Sequence, residues 1–295
     1  MIVAHLLLAA GTLYVGTSSG SAQPPQASTP DSGDHVFGEQ EIGVQSRRGE
    51  RSAVTARPTA AALEAGQRLQ RAYPDHIAVA DGADLVWRDG TRMTLDDGHG
   101  EKPPAAWFER PDLKDMFRHP YPAGSEAVAP AREYDPGRAR NAAFFDKMYG
   151  DCSKREVAAH LVDVAWLPSR SRVKLKVTGI NGVAARLERI SAELDALPPA
   201  FDRFLLPPAG TYNCRAIAGT NRSSAHGYGI AIDIAIRHAH YWRWSTPNNV
   251  GQPVWRNEIP MAIIAIFERH GFIWGGRWSH FDTMHFEYRP ELMQP

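Results

Sequence analysis

Two stretches of this chain hold residues whose types and spacing could do metal chemistry. The first is Ser224-Ala225-His226-Gly227-Tyr228-Gly229-Ile230-Ala231-Ile232-Asp233, and the second is Asp282-Thr283-Met284-His285. Together they offer two imidazoles, one carboxylate and a further carboxylate three residues before the last histidine. Catalytic zinc takes three N or O ligands from protein and keeps a fourth position open. His226, Asp233 and His285 fit that set, with one Zn2+ per chain. Zinc brings water within reach of deprotonation near neutral pH, and a nearby carboxylate can accept that proton and return it to a departing amine. Asp282 is placed for that part; on spacing alone it could equally cap a turn.

Each ligand has an ordinary alternative. The chain has 12 histidines, and His238, His240 and His280 lie close enough in sequence to be rival ligands. A single His-x6-Asp carries little information. The whole string, joined to an Asp-x-x-His among aromatics, carries much more.

The elements that must position these side chains read as strands and turns. Gly227 and Gly229 point to a bend after His226. Ile230, Ile232, Ile234 and Ile236 alternate with Ala231, Asp233 and Ala235, the period of a strand. Thr283 to Tyr288 alternates as well, so two neighbouring strands would bring the ligands together. Elsewhere, helices are expected over Thr59–Tyr73, Arg138–Tyr149, Asn181–Leu197 and Ile259–His270, with apolar residues at helical spacing. Short strands are expected over His76–Thr94, and a strand pair over Leu161–Trp166 and Val173–Val177. The fold class is α+β, with a small antiparallel sheet carrying the site between flanking helices.

Ser224-x-His226-x-x-Gly229-x-Ala231-x-Asp233 resembles the signature of the zinc D-alanyl-D-alanine carboxypeptidase family. That family includes VanY-type and VanX-type peptidases and L-alanyl-D-glutamate endopeptidases. Trp274-Gly275-Gly276-Arg277-Trp278 followed by Asp282-Thr283-Met284-His285-Phe286-Glu287 is similar to the second half of the signature. The resemblance runs from about Arg138 to Leu292. It implies zinc on His226, Asp233 and His285, a general base at Asp282, a zinc D,D-peptidase or Hedgehog-like fold, and a peptidoglycan stem peptide containing D-amino acids as substrate. Many members have Glu where this chain has Asp282, and the shorter side chain is closer to the endopeptidase branch than to the dipeptidases. The family also has an arginine upstream of the first ligand that polarises the scissile carbonyl. Arg215 and Arg222 are the candidates, with Arg215 favoured. Ser224, Arg222 and Trp278 are candidate substrate contacts, and Trp278 or Trp242 is expected to border the cleft. Two other readings stay open: a non-catalytic metal-containing module that binds cell wall, and a zinc amidase of peptidoglycan.

Residues 1–22 read as a signal peptide, with a largely apolar Ile2–Val15 followed by small residues, although the n-region has no Lys or Arg and only His5. Residues 23–58 are rich in Pro, Ser, Gly and charge and read as a disordered linker. Residues 59–135 form an N-terminal extension or subdomain, and residues 136–295 the catalytic domain. An exported protein, periplasmic or secreted, follows, without stable membrane insertion once the leader is removed. Cys152 and Cys214 could form one disulfide or remain free thiols. With 33 basic and 33 acidic residues among 295, the chain has no net charge, which argues against nucleic acid as a partner.

Overall fold

The computed structural model describes residues 58–293, which form one body. The expected leader and nearly all of the expected linker lie outside these residues. Among the described residues, no helix is long and apolar enough to cross a membrane.

The body is α+β, with three small antiparallel sheets flanked by helices. It begins with α1 (Ala60–Ala72), started by Thr59, whose hydroxyl accepts from the Ala62 N–H at 3.2 Å. A meander follows: β1 (Ile77–Asp81), β2 (Asp84–Trp87) and β3 (Arg92–Thr94). After α2 (Pro104–Glu109) and a proline-rich loop comes α3 (Ala142–Tyr149). The helix expected from Arg138 starts four residues later because Asn141 caps it, accepting from the Phe144 N–H at 2.9 Å. Arg138 is therefore left in the preceding turn.

β4 (Leu161–Ala165) and β5 (Lys174–Thr178) pair as a two-stranded ribbon, Leu161 opposite Thr178 and Ala165 opposite Lys174. The ribbon is covered by α4 (Val183–Asp195), whose Val183, Leu187, Ile190 and Leu194 are all buried. The short α5 (Asp202–Leu205) leads towards the third sheet. That sheet has the order β6 (Ala231–Asp233), β8 (His285–Tyr288), β7 (Phe272–Trp274), with α6 (Met261–Arg269) packed against β7.

β6 is shorter than the isoleucine alternation suggests. Only Ala231–Asp233 pairs with β8, and the chain then turns into a 3-10 segment at Ile236–His238. Ile230, Ile232 and Ile234 are fully buried, whereas Ile236 is exposed. Alternation thus reads out the strand only until its partner ends.

One apolar core joins these pieces. Leu69 and Tyr73 of α1, Phe144 and Phe145 of α3, Leu187 of α4, Ile232 of β6 and Phe286 of β8 belong to the same buried cluster. Residues 59–135 therefore share their interior with the site-bearing sheet. The join is polar as well: the Tyr73 hydroxyl donates to Glu291 at 2.7 Å beneath α1.

Candidate metal centre and its cleft

Register brings the expected ligands together. Asp233 is the partner of His285 across β6 and β8, so its carboxylate and that imidazole stand opposite each other. His226 reaches the same point from a 3-10 turn, Ala225–Tyr228, that ends on Gly229. Gly229 has φ +69°, and a Cβ there would lie 2.9 Å from the Thr178 nitrogen, so the turn into β6 needs glycine. The neighbouring Gly227 lies against the Cys152–Cys214 disulfide. That bridge joins the start of the segment after α3 to the loop before His226.

The ligand atoms of His226, Asp233 and His285 all fall within 4.8 Å of one another. His226 Nε2 lies 3.2 Å from Asp233 Oδ2 and 3.2 Å from His285 Nδ1, and His285 Nδ1 lies 3.0 Å from Asp233 Oδ1. The outer nitrogens are held from behind. His226 Nδ1 faces the Thr211 carbonyl, which can only accept; that nitrogen must carry the proton and leaves Nε2 free on the site side. His285 Nε2 donates to Glu287 at 2.9 Å.

Glu287 is fully buried and also receives Arg140 and Arg289. Burial pushes its carboxyl up, but Arg140, His285 and Arg289 outweigh that and hold it well below the ordinary carboxylate range. Burial pulls the His285 imidazole down, and its bonds to Asp233 and Glu287 more than reverse this, raising it to about 10. The two carboxylates fix the ring from both sides, Glu287 at Nε2 and Asp233 beside Nδ1, the atom turned to the site.

This donor set fits zinc. It has two imidazoles and one carboxylate, with each imidazole oriented through its other nitrogen by a carbonyl or a carboxylate. Asp282 adds a second fitting feature, because its Oδ1 is buried with no hydrogen-bond partner among the described residues. Burial and the adjacent Asp233 charge push the Asp282 carboxyl up to about 6. A polar atom left orphaned at that depth is costly unless a ligand serves it.

The triad and Asp282 open into a cleft of about 350 Å³. Residues 218–288 match the family model for D-alanyl-D-alanine carboxypeptidase. The match spans the three ligand candidates and Asp282, and it supports the resemblance drawn from the two halves of the signature. It ends short of Arg215, Arg140 and Arg138. No curated protein matches the chain.

Arg215, Arg222, Ser224 and Trp278 all line the same cleft. Arg215 is exposed, and its guanidinium makes one hydrogen bond among the described residues, to the Ala216 carbonyl at 3.5 Å. Arg222 is ion-paired to Glu109 at 3.1 Å. The Ser224 hydroxyl has no partner among the described residues; its backbone shapes the loop, taking Gly227 N–H on its carbonyl at 2.8 Å and donating to Arg215 at 3.1 Å. Trp278 lies against His285 with ring centroids 5.6 Å apart, its indole nitrogen donating to Pro136 at 2.7 Å. Trp242 borders a neighbouring cavity of about 950 Å³ instead, sharing His280 with the cleft.

The rival histidines do not join the ligand group. His238 and His240 both face Glu258, and His280 pairs with Asp135 at 2.8 Å. Two kinds of site residue escaped the sequence reading. Glu287 carried a usable signal, since a residue two along a strand shares a face with His285. Arg138 and Arg140 carried none, because tertiary contacts alone bring their turn to the cleft.

Proposed function

We propose that the protein is a zinc peptidase that hydrolyses bonds involving D-amino acids in peptidoglycan stem peptides. The observation that carries the proposal is the convergence of His226, Asp233 and His285 with the unpartnered Asp282 carboxylate in one cleft. The matched family supports a peptidase and the class of substrate.

His226 Nε2, the Asp233 carboxylate and His285 Nδ1 would hold the ion. A zinc ion there supplies Lewis-acid polarisation of a carbonyl and acidifies water near neutral pH. Asp282 Oδ1 takes the proton from the water that attacks the peptide carbonyl, then returns it to the departing amine nitrogen. Arg215, on the wall of the same cleft, offers its guanidinium to the oxygen on which negative charge develops. Thr211 and Glu287 keep the imidazoles in the tautomer and orientation that the site needs. Trp278 covers His285 and limits water on that side. In the same reading the enzyme works outside the cytoplasm, with residues 1–22 as leader and 23–58 as tether. The disulfide between the chain's two cysteines suits an oxidising compartment.

Digestion of purified peptidoglycan by the zinc-loaded protein, with products identified by mass, tests the proposal. Released D-alanine or a stem cut within its peptide supports it. Whole stems freed from the sugar would make the enzyme an amidase, and no product at all would leave a binding module.

A further inference from the structure

The cleft carries more positive charge than the proposed hydrolysis uses. Four guanidinium groups line it, from Arg138, Arg140, Arg215 and Arg222. Two of them are neutralised from behind: Arg140 by Glu287 and Arg222 by Glu109. The Arg138 guanidinium has no hydrogen bond and no ion pair to any described residue, and lies over the Phe108 ring with its carbon 4.9 Å from the centroid. Burial, opposed by Asp135 and reinforced by Arg222 and Arg140, pulls it down to about 10, so it remains a cation at neutral pH. A half-buried guanidinium that faces the cleft and has no ion pair among the described residues is free to receive an anionic group.

The backbone beneath it is firmly fixed. The Arg138 N–H donates to the Asp135 carbonyl at 3.2 Å. Trp278 Nε1 donates to Pro136, His280 donates to both Asp135 oxygens from its backbone and Nδ1, and Arg289 donates to the Gly137 carbonyl. The turn that presents Arg138 is thereby fastened to the segment that carries Asp282 and His285. The backbone that carries the Arg138 side chain is thus fixed relative to the reacting centre before any ligand arrives, which lowers the entropic cost of binding.

We propose that Arg138 is the anchor for a carboxylate of the substrate, and so determines which peptides are cleaved. This rests on the peptidase reading above. A guanidinium grips a carboxylate through two parallel hydrogen bonds and is worth most where water is excluded. Two carboxylates of a stem peptide have the right chemistry: the C-terminal one after D-alanine, and the free α-carboxylate of a γ-linked D-glutamate.

The test uses the full zinc-loaded chain and two pairs of peptides. One pair is N-acetyl-L-Lys-D-Ala-D-Ala and its C-terminal amide. The other is L-Ala-γ-D-Glu-L-Lys and the same peptide with the D-Glu α-carboxylate amidated. In one pair the free acid is preferred by about 10- to 100-fold, mainly through KM, as expected for a charge-assisted two-pronged contact. That pair identifies the carboxylate. Arg138→Gln brings the acid-to-amide ratio close to one, and Arg138→Lys restores part of it. Calorimetric binding of the same pair to the metal-free chain shows the same preference without turnover, and decides the matter should Arg138→Gln fail to fold. Cleavage of acid and amide at equal rates, or an unchanged ratio in Arg138→Gln, overturns the assignment while leaving the peptidase standing. If none of the four peptides is cleaved, both fall.

Discussion

Two buried carboxylates at the site have opposite surroundings, which suit them to opposite tasks in the proposed reaction. Glu287 is surrounded by His285, Arg140 and Arg289 and stays ionised, whereas Asp282 has a buried oxygen with no partner among the described residues. Asp282→Asn keeps the size and the ligand set, so zinc content should be unchanged while kcat falls by about 10²- to 10⁴-fold, the usual range for a positioned proton acceptor. Full activity in that variant, with metal measured in the same sample, would remove Asp282 from the mechanism. Glu287→Gln acts differently: it loosens the orientation of His285, and zinc affinity in chelator competition should drop by about 10- to 100-fold. An unchanged affinity would make Glu287 merely a partner for the arginines. The convergence of His226, Asp233, His285 and Asp282 was legible in the sequence because each sits in a short string with distinctive neighbours. Arg138 was not, since its turn reaches the cleft only through bonds to Trp278, His280 and Arg289.

At the scale of elements, the site depends on the pairing of β6 with β8. A slip of one residue would turn His285 to the opposite face of the sheet and take Glu287 with it. The ribbon of β4 and β5 and the helix α4 were readable from periodicity, because each has one buried and one wet face. β6 and β8 were harder to delimit: Phe286 and Tyr288 are buried on one side and His285 and Glu287 on the other, so alternation of apolar and polar does not mark where the strand stops. The loop that carries His226 is braced by the disulfide, which spans 62 residues. Closing a loop of that length restricts the unfolded chain by about 4 kcal/mol in the chain-entropy model. Replacing both cysteines by serine should lower the unfolding free energy by an amount of that order in denaturant titration, with the loss of zinc affinity following from a less constrained His226 loop. Equal stability with and without the bridge would count against the bracing role.

At the scale of the molecule, residues 58–293 share one interior. α1 contributes Leu69 and Tyr73 to the cluster that also holds Ile232 and Phe286, and Tyr73 is bonded to Glu291 at the far end of the chain. Leu69 is fully buried, so Leu69→Ala should cost about 2–5 kcal/mol. Calorimetry should show one shifted transition, with the site-bearing sheet melting together with α1. Two separable transitions, only one of them shifted, would mean that the segment up to residue 135 is an independent unit. The sequence made the α+β class legible through its helical stripes and alternating runs. How α1 docks was not legible, because Tyr73 meets the Phe144 ring in α3 and the Glu291 carboxylate 218 residues further along the chain.

The central claim is that His226, Asp233 and His285 hold a single zinc ion. Calorimetric titration of the chelator-treated protein with zinc, paired with X-ray absorption of the loaded sample, tests it directly. The predicted result is one ion per chain with two imidazole ligands, lost in His285→Ala. Absence of tight binding in the native chain, or binding that survives in His285→Ala with the same coordination, would contradict it.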